Sequence, residues 1–255
     1  MTKQHKLLAM AFATLLIFAS CGKDENENES GDEITSHGTK IKRITGSTAD
    51  ENEERTVHVD FTWDGDKIAS VLYCYDSSTF THVFTYDGDN IIREVAEGGT
   101  YDYTYAGGRI DSVTLSEYSR QDSFIYKYSW SGNKPVELTQ PEDAGYYRGG
   151  RIQTLEWQGD NLVKHSGNSG TDWSITYRYD DKKNPFPFMF TLGTMPDILM
   201  NSWSVNNITE IIRKSGDKTY HTTYEYTYNA DGYPATAKAR TSYGDIITLT
   251  YTYYE

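Results

Sequence analysis

The chain has 255 residues, of which 37 are acidic and 24 basic, for a formal net charge of −13. That balance excludes a nucleic-acid binder, which would carry a basic patch or stripe, and it excludes electrostatic docking on anionic lipid. Tyrosine outnumbers phenylalanine 22 to 9, an excess that suits half-buried sheet surfaces on which a ring is covered and its hydroxyl stays wet.

The first element is an export signal over residues 1–20. Lys3 and Lys6 precede Leu7–Phe18, which carries no charge. Twelve residues reach roughly 18 Å as a helix, short of the ~30 Å hydrocarbon core. Ala19 and Ser20 supply small residues before Cys21. This arrangement resembles the bacterial lipoprotein signal, departing from it at Phe18, where that family usually places Leu. The resemblance implies that Cys21 is acylated and becomes the first mature residue. Cys21 is thus the lipidation site and the membrane the first partner. Cleavage removes Lys3 and Lys6, leaving 22 basic against 37 acidic residues and a net charge of −15.

Residues 21–40 read as a disordered acidic tether, since six of the ten residues from Asp24 to Glu33 are acidic and none is apolar. Lys23-Asp24-Glu25 resembles the surface-export tag of Bacteroidota lipoproteins, which implies an outer-membrane protein facing the cell exterior. With Cys21 committed to lipid, Cys74 stands alone and no intrachain disulfide can form. Its setting in SVLYCYD predicts a buried structural thiol.

Residues 41–255 form one domain, and from Arg55 onward a word repeats. The copies are FTWDGDKIASV, FTYDGDNIIREV, YTYAGGRIDSV, YSWSGNKPVEL and LEWQGDNLVKH, with weaker ones at YRYDDKKNPF and YTYNADGYPA. The aromatic anchors are Trp63, Tyr86, Tyr105, Trp130, Trp157, Tyr179 and Tyr228, the first six spaced by 23, 19, 25, 27 and 22 residues. Such a unit holds two strands and two turns, so it predicts a β-hairpin. Strict alternation at Val57, Val59, Phe61 and Trp63, and at Phe124, Tyr126, Tyr128 and Trp130, supports strands over helices.

These units resemble degenerate YD/Rhs-type repeats of Bacteroidota surface lipoproteins, over roughly residues 55–255. The resemblance implies an all-β fold, a curled antiparallel meander, and no activity. A β-propeller is the rival architecture, because two hairpins make about one four-stranded blade. Asn184–Trp203 breaks the rhythm. Pro185, Pro187 and Pro196 rule out a central strand, Pro196 suits the start of a short helix, and the Phe and Leu side chains predict a plug packed inside the curl.

Chemistry is sparse. Asp64-Gly65-Asp66 and Asp87-Gly88-Asp89-Asn90 look like calcium loops, but an EF-hand would need Glu where Tyr75 stands, and Asp-Gly between alternating strands is a hairpin signal. His37, His58, His82, His165 and His221 share no metal-ligand spacing, and no catalytic motif is present. The expectation is a non-catalytic surface module without cofactor or metal, binding a glycan or a partner protein through aromatic residues. The alternative is a surface glycan-processing hydrolase with an acidic site, to be told apart by a pocket of converging acids or histidines.

Overall fold

A computed structural model describes residues 40–49, 54–75, 78–119, 123–140, 151–168, 171–186 and 203–255. Cys21, His37 and the tether lie outside the described residues, as does the stretch 187–202. The first eight strands are β1 Ile41–Ala49, β2 Glu54–Asp64, β3 Lys67–Tyr75, β4 Ser78–Asp87, β5 Asn90–Ala96, β6 Gly99–Ala106, β7 Arg109–Glu117 and β8 Ser123–Ser131. They are followed by β9 Lys134–Gln140, β10 Arg151–Gln158, β11 Asn161–Asn168, β12 Asp172–Lys183, β13 Asn206–Ser215, β14 Lys218–Tyr228, β15 Pro234–Thr241 and β16 Ile246–Tyr253.

Every strand pairs antiparallel with its chain neighbours, and β1 pairs with β16, so the sixteen strands close into one barrel. The expected open curl is thereby corrected, and so is the propeller, whose blades would interrupt the hydrogen bonding every few strands. The physical reason lies in a defect repeated at the same place in each hairpin. Trp63 faces Ile68 and Thr62 faces Ser70, so Ala69 is an extra residue on β3. The same bulge falls at Ile92, Asp111, Val136, Val163, Thr209 and Ala235. A bulge bends its strand and increases the right-handed twist, and seven in phase curve the sheet toward closure.

The closing contact is an eighth copy of the hairpin, split between the two ends of the chain. Tyr253 faces Ile41 and Thr252 faces Arg43, which leaves Lys42 as the eighth bulge. Tyr254 N donates to Lys40 O at 2.9 Å where other hairpins have a turn.

Apolar residues face the interior. Val57, Val59 and Phe61 are at most 4% exposed, and Val113 and Leu162 are wholly buried. On β14 the outward positions His221, Thr223, Glu225 and Thr227 are exposed between partly covered tyrosines. The outer face also carries cross-strand ion pairs, among them Arg43 with Asp60 at 2.9 Å and Arg178 with Glu210 at 3.1 Å. This is the inverse of a lipid-embedded barrel, where Arg or Lys facing the bilayer midplane costs about 2–4 kcal/mol each. Among the described residues the inward side chains are buried or partly buried against one another.

The apolar insertion enters and leaves at one place. Asn184 N donates to Val205 O at 3.1 Å, and Asn184 Nδ2 donates to Ser204 O at 2.7 Å. Asp180 Oδ1 accepts from Asn207 N at 3.1 Å and Asp180 Oδ2 from the Tyr228 hydroxyl. Phe186 is buried with its ring 5.7 Å from Phe61, and Trp203 is buried too. β2 and β12 are well separated around the barrel, so Phe186 reaches into the interior, while the body of the expected plug lies outside the described residues. Among the described residues no α-helix is seen at the ends of the insertion, where Trp203 alone is in a 3-10 turn, and the short helix expected from Pro196 falls on residues outside those described.

Candidate functional site: an aromatic rim

The hairpin turns of the repeats gather at one end of the barrel, and the recurring words of the sequence build a ladder there. Each anchor ring faces inward and donates to the backbone of the preceding hairpin. Trp63 Nε1 reaches Ile41 O at 2.8 Å, Tyr86 hydroxyl reaches Ile68 O at 2.8 Å, and Tyr105 hydroxyl reaches Ile91 O at 2.9 Å. Trp130 and Trp157 repeat this on Ile110 O and Pro135 O, at 2.8 and 2.7 Å. Tyr179 donates to Leu162 O, Tyr226 to Ile208 O and Tyr253 to Pro234 O, which completes eight rungs. Tyr226 takes the rung that the anchor pattern assigns to Tyr228, because Tyr228 is drawn to Asp180. Burial raises the Tyr86 and Tyr105 hydroxyls above their ordinary range, so both remain donors at neutral pH.

A cation completes four of the eight rungs on the rim, at Trp63, Tyr86, Trp130 and Trp157. Lys40 lies 5.9 Å from the Trp63 ring centre, donates to Gly65 O at 2.7 Å and pairs with Asp66 at 2.7 Å. Lys67 does the same with Tyr86, Gly88 O and Asp89, and Lys134 with Trp157, Gly159 O and Asp160. Hydrogen bonding to Lys40 holds the exposed Asp66 carboxyl below its usual value. Gly65 and Gly88 adopt φ of +56° and +55° in two-residue loops, as the turn reading requires. No cluster of metal-ligating side chains is found among the described residues.

Three rungs carry asparagine where the lysine would stand, at Asn90, Asn161 and Asn207, the last buried and donating to Asp180 Oδ2 at 3.2 Å. At Asn161 the amide binds the insertion, donating to Asn206 Oδ1 at 2.9 Å and accepting from Val205 N at 3.2 Å. At Asn90 the outcome is a cavity of about 540 Å³, lined by Tyr86, Tyr105 and Trp130 with Lys67, Asn90 and Arg109 around them. Its volume falls in the range of small-ligand sites. The turn above Tyr105 is Gly107-Gly108, which adds no side chain to cover the ring.

The histidines are dispersed. His58 sits outside beside Asp60, and His221 stands outside near Glu210. His82 is buried, its Nδ1 2.7 Å from Glu94 Oε1, while the Tyr103 hydroxyl donates to Glu94 Oε2 at 2.9 Å. Glu94 is wholly buried, so this acid–imidazole pair is sealed in the core and presents nothing to a substrate. Sequence reading passed over Glu94, although IIREVA shows an acid at a position that is apolar in the neighbouring copies. His165 faces inward against Trp173, with ring centres 4.8 Å apart. Cys74 is a buried thiol outside any disulfide.

No protein-family profile and no curated protein matches the chain. Among solved structures it is similar to a porin-like protein from Bacteroides uniformis, with TM-score 0.57 and 16% identity over 86% of this chain and 98% of that one. A porin-like protein from Bacteroides vulgatus aligns at TM-score 0.38 and 12% identity over 84% of this chain and 98% of that one. The first likeness shows the fold, an all-β antiparallel barrel.

Proposed function

We propose that this is a non-catalytic binding barrel, held at the outer membrane by acyl chains on Cys21, whose ligand site is the rim cavity over Tyr105. The observation that carries the reading is the cavity at Asn90, where the cation found on both neighbouring rungs is missing and an aromatic floor is left. A groove floored by aromatic rings favours binding, whereas a hydrolase would need open acids. Here Asp66 and Asp89 are engaged by Lys40 and Lys67, and Glu94 is closed off in the core.

The polar outer face supports an anchored barrel over a membrane-spanning one. The likeness to a porin-like protein, the signal ending at Cys21 and the YD/Rhs-like repeats together support a bacterial cell-surface setting. A glycan suits the site better than a flat protein partner, because the cavity is concave and mixes rings with amides.

Two measurements test this reading. Cys21→Ser should move the protein from the membrane to the soluble fraction, and an unchanged distribution would remove the anchor. A glycan array should give hits that vanish in Asn90→Lys, which restores the missing cation over Tyr105; hits that persist would place the site elsewhere.

A further inference from the structure

Resting on the rim cavity as the ligand site, we infer that its ligand is a sugar bearing a single carboxylate, a uronic acid residue, read by Arg109 and stacked on Tyr105. The charge count of the rim leads there. Lys40, Lys67 and Lys134 each face an acid in the next turn, at 2.7, 3.1 and 3.0 Å. Arg109 occupies the equivalent place, 6.0 Å from the Trp130 ring centre, but its next turn is Gly132-Asn133. Among the described residues Arg109 therefore has a ring beneath it and no acid beside it. It is the cation left over on the wall of the cavity.

The two departures from the repeat coincide. Asn90 leaves Tyr105 without a cation, and Asn133 leaves Arg109 without an anion, and both asparagines line one cavity. An uncovered ring accepts the apolar C–H face of a pyranose. A guanidinium offers two parallel N–H donors to a carboxylate, a geometry that a lysine cannot reproduce. The asparagine amides supply donors and acceptors for sugar hydroxyls. Asp66 and Asp89 stand at the mouth and the chain is strongly acidic overall, so one negative charge is tolerated where a phosphate dianion would be repelled.

Calorimetric titration of the full chain in detergent with cellobiouronic acid, a glucuronic acid linked to glucose, and with cellobiose, which has the same rings without the carboxylate, tests the assignment. The acidic disaccharide should bind at least about tenfold more tightly. Arg109→Gln should bring the two sugars level, Arg109→Lys should recover only part of the difference, and Asn90→Lys should abolish both with the melting temperature held. Equal affinity for the two sugars, unchanged in Arg109→Gln but lost in Asn90→Lys, would overturn the carboxylate assignment and keep the rim as a site. Failure of the wild type to bind either sugar, or binding that survives Asn90→Lys, would overturn the site as well.

Discussion

His165 shows how one buried ring sets a pH dependence. Its Nε2 lies 2.7 Å from Gln153 Oε1, which fixes Nε2 as the donor, while Nδ1 is buried without a hydrogen-bond partner. A proton arriving at Nδ1 would find no protein acceptor, and burial pushes the imidazole down to about 4. The unfolded chain then binds more protons than the folded one between about pH 6.5 and 4, so stability is full above that window and falls through it as pH falls. The whole loss is at most about 3 kcal/mol, because one extra proton bound by the unfolded chain costs ~1.4 kcal/mol for each pH unit crossed. Denaturant unfolding from pH 7 to 4 should show His165→Gln losing less stability than the wild type, and parallel curves would refute it. Glu94 makes the complementary case. Removing it strands His82 and the Tyr103 hydroxyl in the core, so Glu94→Ala should cost about 2–4 kcal/mol, checked by the same unfolding measurement.

The hairpin carries most of what could be read in the sequence. The aromatic anchors, the Asp-Gly turns and the alternation through Val57, Val59 and Phe61 were legible because each has a local cause, either glycine's left-handed backbone or the pleat. The bulge was not. Ile68, Val71 and Tyr73 face inward at spacings of three and two, as do Ile110, Val113 and Leu115, and a strict period of two passes over that skipped residue. The rim cavity was hidden for a related reason. Its signal is the absence of a lysine at Asn90, which means something only once the ladder has shown what a lysine does there. Two outcomes follow at this scale. Trp157→Phe keeps the ring and removes the donor to Pro135 O, and it should cost about 1–3 kcal/mol by thermal or chemical unfolding. Gly88→Val should cost about 1 kcal/mol or more, because φ is +55° there, while Gly88→Asn, which tolerates that backbone, should recover most of it.

At the scale of the whole molecule, closure decides behaviour in solution. A sixteen-stranded sheet left open would expose two unpaired edges, and such edges recruit one another between chains. Truncation before Ile246 removes β16 and opens both β1 and β15. Size-exclusion chromatography should then show aggregate in place of the wild-type peak, and an elution unchanged from the wild type would mean that closure is dispensable. The closure itself escaped sequence reading because its hairpin is broken in two, with LTYTY at residues 249–253 and KIKRI at residues 40–44. Neither half scans as a copy alone. Of the apolar insertion, the two ends Phe186 and Trp203 were legible as interior, since large apolar side chains have few other places to go.

The split hairpin has a consequence for how the gene could be rearranged. Because Tyr254 and Lys40 meet as a turn would, a short loop could join them, and the cut could be moved to another hairpin, for instance the exposed turn at Gly216-Asp217, without disturbing any inter-strand pairing. The order of the strands is a circle, and the point at which translation enters it is arbitrary. A permuted chain with its new ends at that turn, on the opposite rim from Asn90, would leave the cavity free of the tether that now joins beside it. The barrel is a ring of eight equivalent units in which one joint was never sealed.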